Sequence, residues 1–270
     1  MNKPIPDRKK PTLAVHKLTS CSGCQAVILN LADDLLALSR LVQIVHFVEA
    51  GLVAPEAQVD IALVEGSIST PADEQRIRQI RARSRQLISI GACACSGGVQ
   101  ALRNVRDSGN WPGAVYADAA RIDSLAQSRP VQDLVPVELE LWGCPIEGRQ
   151  LVAALAALLR GIPPLSHSEK LCQQCKRLGN ICVLVSRGEP CMGPVTRTGC
   201  GALCPAFGAP CYTCFGPAEQ PNTEAMGLCL LGLGLPRRQV AERFASISVG
   251  APDFTQAYRR WRIPVREEKS

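Results

Sequence analysis

Apolar and polar positions along this chain fall into two unlike textures. From residue 11 to about 162, short apolar runs alternate with amphipathic stretches. The runs Leu13–Leu18, Leu41–Val48, Val59–Val64, Leu87–Ile90 and Val137–Leu141 predict five strands. Val59–Val64 is almost uniformly apolar, as a strand covered on both faces must be. Between the runs, Gln25–Leu38 predicts a helix with apolar residues at Val27, Ile28, Leu31, Leu35 and Leu38. Pro71–Arg85 predicts a second, opened by Thr70 as N-cap with Pro71 in the first turn. Glu147–Leu159 predicts a closing helix with an apolar stripe. Strands that alternate with helices imply a parallel sheet with helices on both faces.

After Gly161-Ile-Pro-Pro164 the periodicity stops. Residues 172–214 carry eight cysteines among frequent Gly and Pro, too little apolar surface to order the segment without help. A last helix is expected over Arg237–Ser246, then a basic tail through Tyr258-Arg-Arg-Trp261 to Arg266. Two domains are therefore expected, residues 1–164 and 165–270.

Composition narrows the function. The chain has 270 residues and 46% hydrophobic content, enough to exclude wholesale disorder. A formal charge of +6 selects neither nucleic acid nor a membrane surface. The longest apolar candidate for a span, Leu151–Leu159, is about half the ~20 residues that crossing a bilayer requires. Met1–Pro11 is Lys/Pro-rich with no apolar run behind it, so a cytoplasmic protein without direct membrane insertion is expected. Fourteen cysteines are the anomaly. Disulfide frameworks belong to short secreted chains that lack a core, and this chain has one, so the cysteines point to metal.

In the first half, cysteines follow three strands. Cys21 and Cys24 lie in Thr19-Ser-Cys-Ser-Gly-Cys24, Cys93 in Gly91-Ala-Cys-Ala-Cys-Ser-Gly-Gly98, and Cys144 in Trp142-Gly-Cys-Pro145. All three loops leave the carboxyl ends of parallel strands, where open sheets bind ligands, so four thiolates converge. Glycines beside them admit a bulky group and offer N–H donors to sulfur. Four cysteines suit zinc or an iron–sulfur cluster, and ligands dispersed over three loops favour 4Fe–4S. Glu65, in Val64-Glu-Gly-Ser67, leans toward the same crevice or serves as an ordinary turn residue. In the second half Cys172, Cys175, Cys182, Cys191, Cys200, Cys204, Cys211 and Cys214 make two further four-cysteine sites, iron–sulfur or structural zinc, leaving Cys95 and Cys229 over.

The ordered set CxxC, VEGSI, GxCAxxGG and GCPI, followed by CMGPVT and CxxC-x-GP, resembles the small subunit of NiFe hydrogenases over roughly residues 12–217. Within that family the chain looks most like the small (delta) subunit of soluble, cytoplasmic, NAD(P)-linked enzymes of the sulfhydrogenase type. The resemblance implies a proximal 4Fe–4S cluster on Cys21, Cys24, Cys93 and Cys144. It implies a distal one on Cys172, Cys175, Cys182 and Cys191, and a medial one on Cys200, Cys204, Cys211 and Cys214. Membrane-linked relatives have histidine where this chain has Cys172, and His167 lies too early to replace it. They often have proline in place of a fourth medial ligand, where Cys204 stands here.

The fold expected is thus α/β, a flavodoxin-like doubly wound parallel sheet followed by a small, loop-rich iron–sulfur domain. The resemblance implies that a separate large subunit holds nickel and iron, since no RxCGxC motif occurs here, and that a flavin- and NAD(P)-binding partner receives the electrons. A ferredoxin- or deazaflavin-linked hydrogenase and the 20-kDa-type cluster subunit of complex I are the alternatives, and the second cysteine-rich half argues against the latter. Glu65 is expected near the proximal cluster as an accessory to packing or proton movement. His16 and His46 are expected as core residues, and the arginines of the 71–85 helix as a solvated face.

Overall fold

The computed structural model describes residues 10–106, 111–165 and 167–263. The Lys/Pro-rich start of the chain and the end of the basic tail lie outside the described residues. Five strands, β1 (Thr12–Lys17), β2 (Gln43–Phe47), β3 (Val59–Glu65), β4 (Ser84–Ile90) and β5 (Leu139–Leu141), form one sheet in the order β2-β1-β3-β4-β5. Every pairing is parallel. This is the flavodoxin-type order, whose topological switch lies between β1 and β3. Register aligns Lys17 with Glu65, Glu65 with Ile90 and Ile90 with Leu141, so the carboxyl ends of four strands form one row.

Both sheet faces are covered. Leu13, Val15, Ile61, Leu63 and Ile88 pack with the helices Gly23–Leu29 and Gly148–Leu159, burying Ile28, Leu151 and Leu155. Ala14, Ala62, Val64 and Leu87 on the opposite face pack with Ile77 and Ile80 of the helix Pro71–Arg83. That helix begins where expected: Thr70 Oγ1 accepts the Asp73 amide at 3.1 Å, and Asp73 Oδ2 accepts the Thr70 amide at 3.0 Å. The pair satisfies two donors that the helix start would leave bare.

Three expectations are corrected. Gln25–Leu38 is two helices, Gly23–Leu29 and Asp33–Leu41, because Ala32 adopts a positive φ of 49° and interrupts the ladder. Leu41 is therefore helical and exposed, and β2 begins only at Gln43. The expected basic tail is a helix, Pro252–Arg262, with Phe254, Ala257, Tyr258 and Trp261 buried as one stripe beneath its arginines. A further helix, Thr223–Gly232, forms where periodicity predicts none.

The C-terminal helices Thr223–Gly232, Arg237–Phe244 and Pro252–Arg262 share a core in which Phe244 and Phe254 rings lie 6.0 Å apart. That core continues into Cys95, Ala101 and Trp142 of the sheet half. Gly250 marks the closest approach, since a Cβ there would stand 1.9 Å from the Ser96 carbonyl oxygen. Between the sheet and these helices, the cysteine-rich stretch holds only short helices, Leu171–Arg177, Val183–Arg187 and Leu203–Ala206. Its own apolar cluster is small: Leu171, Val183, Cys191, Ala202 and Cys211.

Candidate metal centre

All fourteen cysteines are free thiols. The aligned strand ends place the first four. Cys21 follows β1, Cys93 follows β4 and Cys144 follows β5, while Cys24 starts the helix that β1 leads into. The Ala92 amide donates to the Gly143 carbonyl at 2.7 Å, tying the Cys93 and Cys144 loops together. Cys93 interacts electrostatically with Cys144 and Cys21, and Cys24 with Cys93 and Cys144, so the four thiols lie within electrostatic reach of one another.

Glycine makes room for these sulfurs. A Cβ at Gly91, where φ is +86°, would stand 2.5 Å from Cys24 Sγ, and one at Gly98 would stand 2.7 Å from Cys93 Sγ. No side chain other than hydrogen fits either position. Ser22, Ala202 and Thr213, each beside or between cysteines, adopt positive φ of 66°, 49° and 65°. Such conformations cost about 1–2 kcal/mol in a non-glycine residue and concentrate at functional sites.

The second-half cysteines fall into two linked groups. Cys172 interacts with Cys191, Cys175 and Cys182, and Cys214 with Cys200 and Cys204. Cys211 bridges the groups through Cys214 and Cys191, and its amide donates to Cys191 Sγ at 3.2 Å. Cys214 also interacts with Cys144. The thiols thus run as one continuous series, from the sheet edge through Cys214 and Cys211 to Cys191 and Cys172.

Burial dominates the acid–base chemistry. It pushes Cys24 up strongly, with the Glu65 charge adding to it. It pushes Cys93 up to about 11, partly offset by a hydrogen bond to Gln100. It pushes Cys172 up to about 11 and Cys214 up to about 12, in both cases reinforced by neighbouring thiols. Cys144, Cys175, Cys200 and Cys211 shift upward for the same first reason. Thiols held protonated in this way become ligands when a cation replaces their protons.

N–H groups oppose these shifts from the protein side. The Ile146 amide serves Cys24, the Ala202 and Leu203 amides serve Cys200, and the Thr213 amide serves Cys211. The buried Asn180 Nδ2 has no oxygen partner and lies beside Cys175, whose shift it reduces. A donor set made only of thiols, glycine cradles and N–H groups aimed at sulfur fits iron–sulfur clusters.

Glu65 lies at the end of β3, 2% exposed. Its carboxylate accepts the Cys24 amide at 3.1 Å, the Gln25 amide at 3.4 Å and Gln25 Nε2 at 2.9 Å. The residue therefore anchors the start of the helix that carries Cys24. Gln25 and Gln100 join the site without any mark in the sequence. Gln100 accepts from Cys93 Sγ at 3.5 Å and donates to the Thr19 carbonyl at 3.0 Å, and a lone glutamine after a glycine pair carries no signal of that role. Cys95 is buried against the carbonyls of Ser89 and Leu141 and interacts with Cys24 and Cys93, and Cys229 is exposed on a helix. Among the described residues, no group of three or more His, Cys, Asp or Glu side chains is arranged to hold a single metal ion.

The family described as NADH ubiquinone oxidoreductase, 20 Kd subunit, matches residues 21–158, the sheet half. Sulfhydrogenase 2 subunit delta of Pyrococcus furiosus is 34% identical, over 87% of this chain and 98% of its own length. A subunit of the F420-non-reducing vhu hydrogenase of Methanocaldococcus jannaschii is 29% identical, over 94% of this chain and 96% of its own. An NAD+-reducing [NiFe]-hydrogenase in the H2-reduced state contains a chain that superposes with a TM-score of 0.53 at 26% identity, covering 58% of this chain and 96% of that one. Two of these likenesses run well past residue 158, through the segment that carries the second set of thiols, and so the chain belongs to the small, delta-type subunits of NiFe hydrogenases.

Proposed function

We propose that this chain is the electron-transfer subunit of its hydrogenase, binding three 4Fe–4S clusters. Cys21, Cys24, Cys93 and Cys144 would hold the proximal one. Cys200, Cys204, Cys211 and Cys214 would hold the medial one, and Cys172, Cys175, Cys182 and Cys191 the distal one. The observation that carries this reading is the continuous thiol series, joined at Cys144 with Cys214 and at Cys211 with Cys191. Iron–sulfur clusters, when bound, accept and release one electron at a time.

The protein's part is to hold, space and insulate. Cys24, Cys191 and Cys211 are buried, and the amides of Ile146, Ala202, Leu203 and Thr213 supply fixed dipoles toward sulfur. Ligands drawn from three separate loops, with glycine cradles against Cys24 and Cys93, support a bulky cluster over structural zinc.

The partners follow from where the series ends. The sheet-edge end, with Glu65 beside it, suits a large subunit that holds the nickel–iron centre. At the other end Cys182 is exposed, and Ile181 and Val185 beside it are 72% and 82% exposed, an apolar surface suited to a second partner. The likeness to a chain of an NAD+-reducing enzyme, over 58% of this chain, supports a flavin- and NAD(P)-binding partner in the complex. Among the described residues, no helix is long and apolar enough to cross a membrane, and we place the complex in the cytoplasm.

The test is iron, acid-labile sulfide and zinc per chain on anaerobically purified protein. About twelve irons with matching sulfide are expected for three four-iron clusters. About four irons would confine cluster binding to the sheet half, and zinc with little iron would overturn the reading.

A further inference from the structure

Beside β1 and β2, on the sheet face covered by the helix Pro71–Arg83, the fold leaves a cavity of about 700 Å³. That volume lies within the range of small-molecule sites, and none of the series cysteines lines it. His16 and His46 line it together, both buried, with ring centroids 4.7 Å apart and planes tilted by 34°. His46 Nδ1 accepts the Ala54 amide at 3.1 Å, so the proton of the neutral ring sits on Nε2 and leaves a donor. Arg76 lines the same cavity from the covering helix and, among the described residues, donates to the Lys17 carbonyl alone, at 3.2 Å.

Lys17, Arg76 and Arg83 balance Glu49, Glu56 and Asp73 in number around the cavity, but they are not paired one to one. Each of its acids is already engaged. Glu49 pairs with Lys17 at 3.7 Å and accepts from Ser22 Oγ at 3.1 Å. Glu56 pairs with Arg83. Asp73 accepts from Thr19 Oγ1 at 2.7 Å and from the amides of Ser69 and Thr70 at 3.1 and 3.0 Å. Among the described residues, what remains is the exposed Arg76 without a carboxylate partner and two buried imidazoles without an acid. Burial holds His16 down to about 4, and the charges of His46 and Arg76 press it the same way. Burial and then Arg76 lower His46 as well. An anion in the cavity relieves the contribution of Arg76 to both.

We propose that this cavity binds a small organic phosphate, with Arg76 and the imidazole N–H groups on the phosphate and the apolar wall of Val48, Val53 and Pro55 against its body. A guanidinium suits this role because its fork of donors matches a phosphate edge. Neither the cluster reading nor the hydrogenase assignment depends on the site, which shares no thiol with them.

Calorimetric titration of the full chain with phenyl phosphate, in phosphate-free buffer at neutral pH, tests the proposal. Saturable binding is expected, tighter than for inorganic phosphate, and weakened about tenfold or more in Arg76→Gln, since charge-assisted bonds are the strong ones. Arg78→Gln removes the same charge from a position of the same helix outside the cavity lining, and its affinity should match the wild type. Absence of saturable binding, equal losses in the two variants, or equal affinity for inorganic phosphate would each overturn the proposal. Iron content, measured on the same samples, keeps this result separate from the cluster reading.

Discussion

The carboxylate of Glu65 accepts the backbone amide of Cys24 at 3.1 Å from a position 2% exposed, so a buried charge anchors the helix that carries a cluster thiol. The same charge raises the pKa of Cys24, Cys93 and Cys144. Glu65→Gln keeps the shape but cannot accept from all three donors, because one of its two ends becomes an N–H2 group. The expected result is a loss of about 1–3 kcal/mol in unfolding free energy, the usual cost of buried donors left unmade. Denaturant unfolding of the variant reads this directly. Unchanged stability together with unchanged hydrogenase turnover would remove any role for Glu65 beyond filling space.

Glycine 91 offers a sharper test of the cradle. Alanine there places a methyl group where Cys24 Sγ now sits, 2.5 Å away, in a backbone conformation of φ +86°. Gly51 has a similar φ of +77° but nothing within 4 Å of its missing Cβ. Both Gly91→Ala and Gly51→Ala carry the backbone penalty, about 1–2 kcal/mol. Only Gly91→Ala should lose iron, up to about four atoms per chain for one four-iron cluster. Equal iron in both variants would mean the cradle does not matter to the metal.

Much of this arrangement is legible in the residues themselves. The apolar runs predict the sheet, and Thr70 as N-cap with Pro71 in the first turn marks a helix start correctly. The aligned strand ends explain why cysteines distant in sequence meet, since Lys17, Glu65, Ile90 and Leu141 form one row. The Gln25–Leu38 stripe misleads because periodicity continues across a break made by one backbone angle at Ala32. At the C-terminus the arginines dominate the pattern. Yet Phe254, Ala257, Tyr258 and Trp261 stand at i, i+3, i+4 and i+7, a stripe that charge obscures. Thr223–Gly232 offers no stripe because apolar residues surround it. The hydrogen bonds of Gln100 and Asn180 near Cys93 and Cys175 depend on tertiary placement and leave no trace in local sequence.

The raised thiols make the stability of the metal-free chain depend on alkaline pH. Unfolded cysteine releases its proton near pH 9, whereas folded Cys93 and Cys172 hold theirs to about 11 and Cys214 to about 12. Above pH 9 the unfolded state therefore binds fewer protons than the folded one, and stability must fall as pH rises. The fall continues to about pH 11–12, with a limiting slope of about 1.4 kcal/mol per pH unit for each such thiol. Urea midpoints of the metal-free chain at pH 8, 9, 10 and 11 should decline in that order. A flat series would show that these thiols are not buried in the absence of metal.

Two cysteines outside the proposed twelve ligands provide the test of ligand assignment. Cys95 lies in the core shared by the sheet half and the C-terminal helices, its sulfur 3.8 Å from the carbonyl oxygens of Ser89 and Leu141. Its pKa is pushed well up by burial, first of all, and then by Glu140. Cys95→Ala removes one buried atom and should cost about 1 kcal/mol of stability while leaving iron at the wild-type level. Cys229→Ser, on an exposed helical position, should change neither. Cys93→Ala removes a thiol that interacts with Cys144 and Cys21, and should lower iron by up to about four atoms per chain. Three variants, one iron assay and one unfolding curve thus separate a ligand from a packing residue and from a bystander. Iron loss in Cys95→Ala would place that sulfur inside a cluster and break the four-four-four division of the thiols.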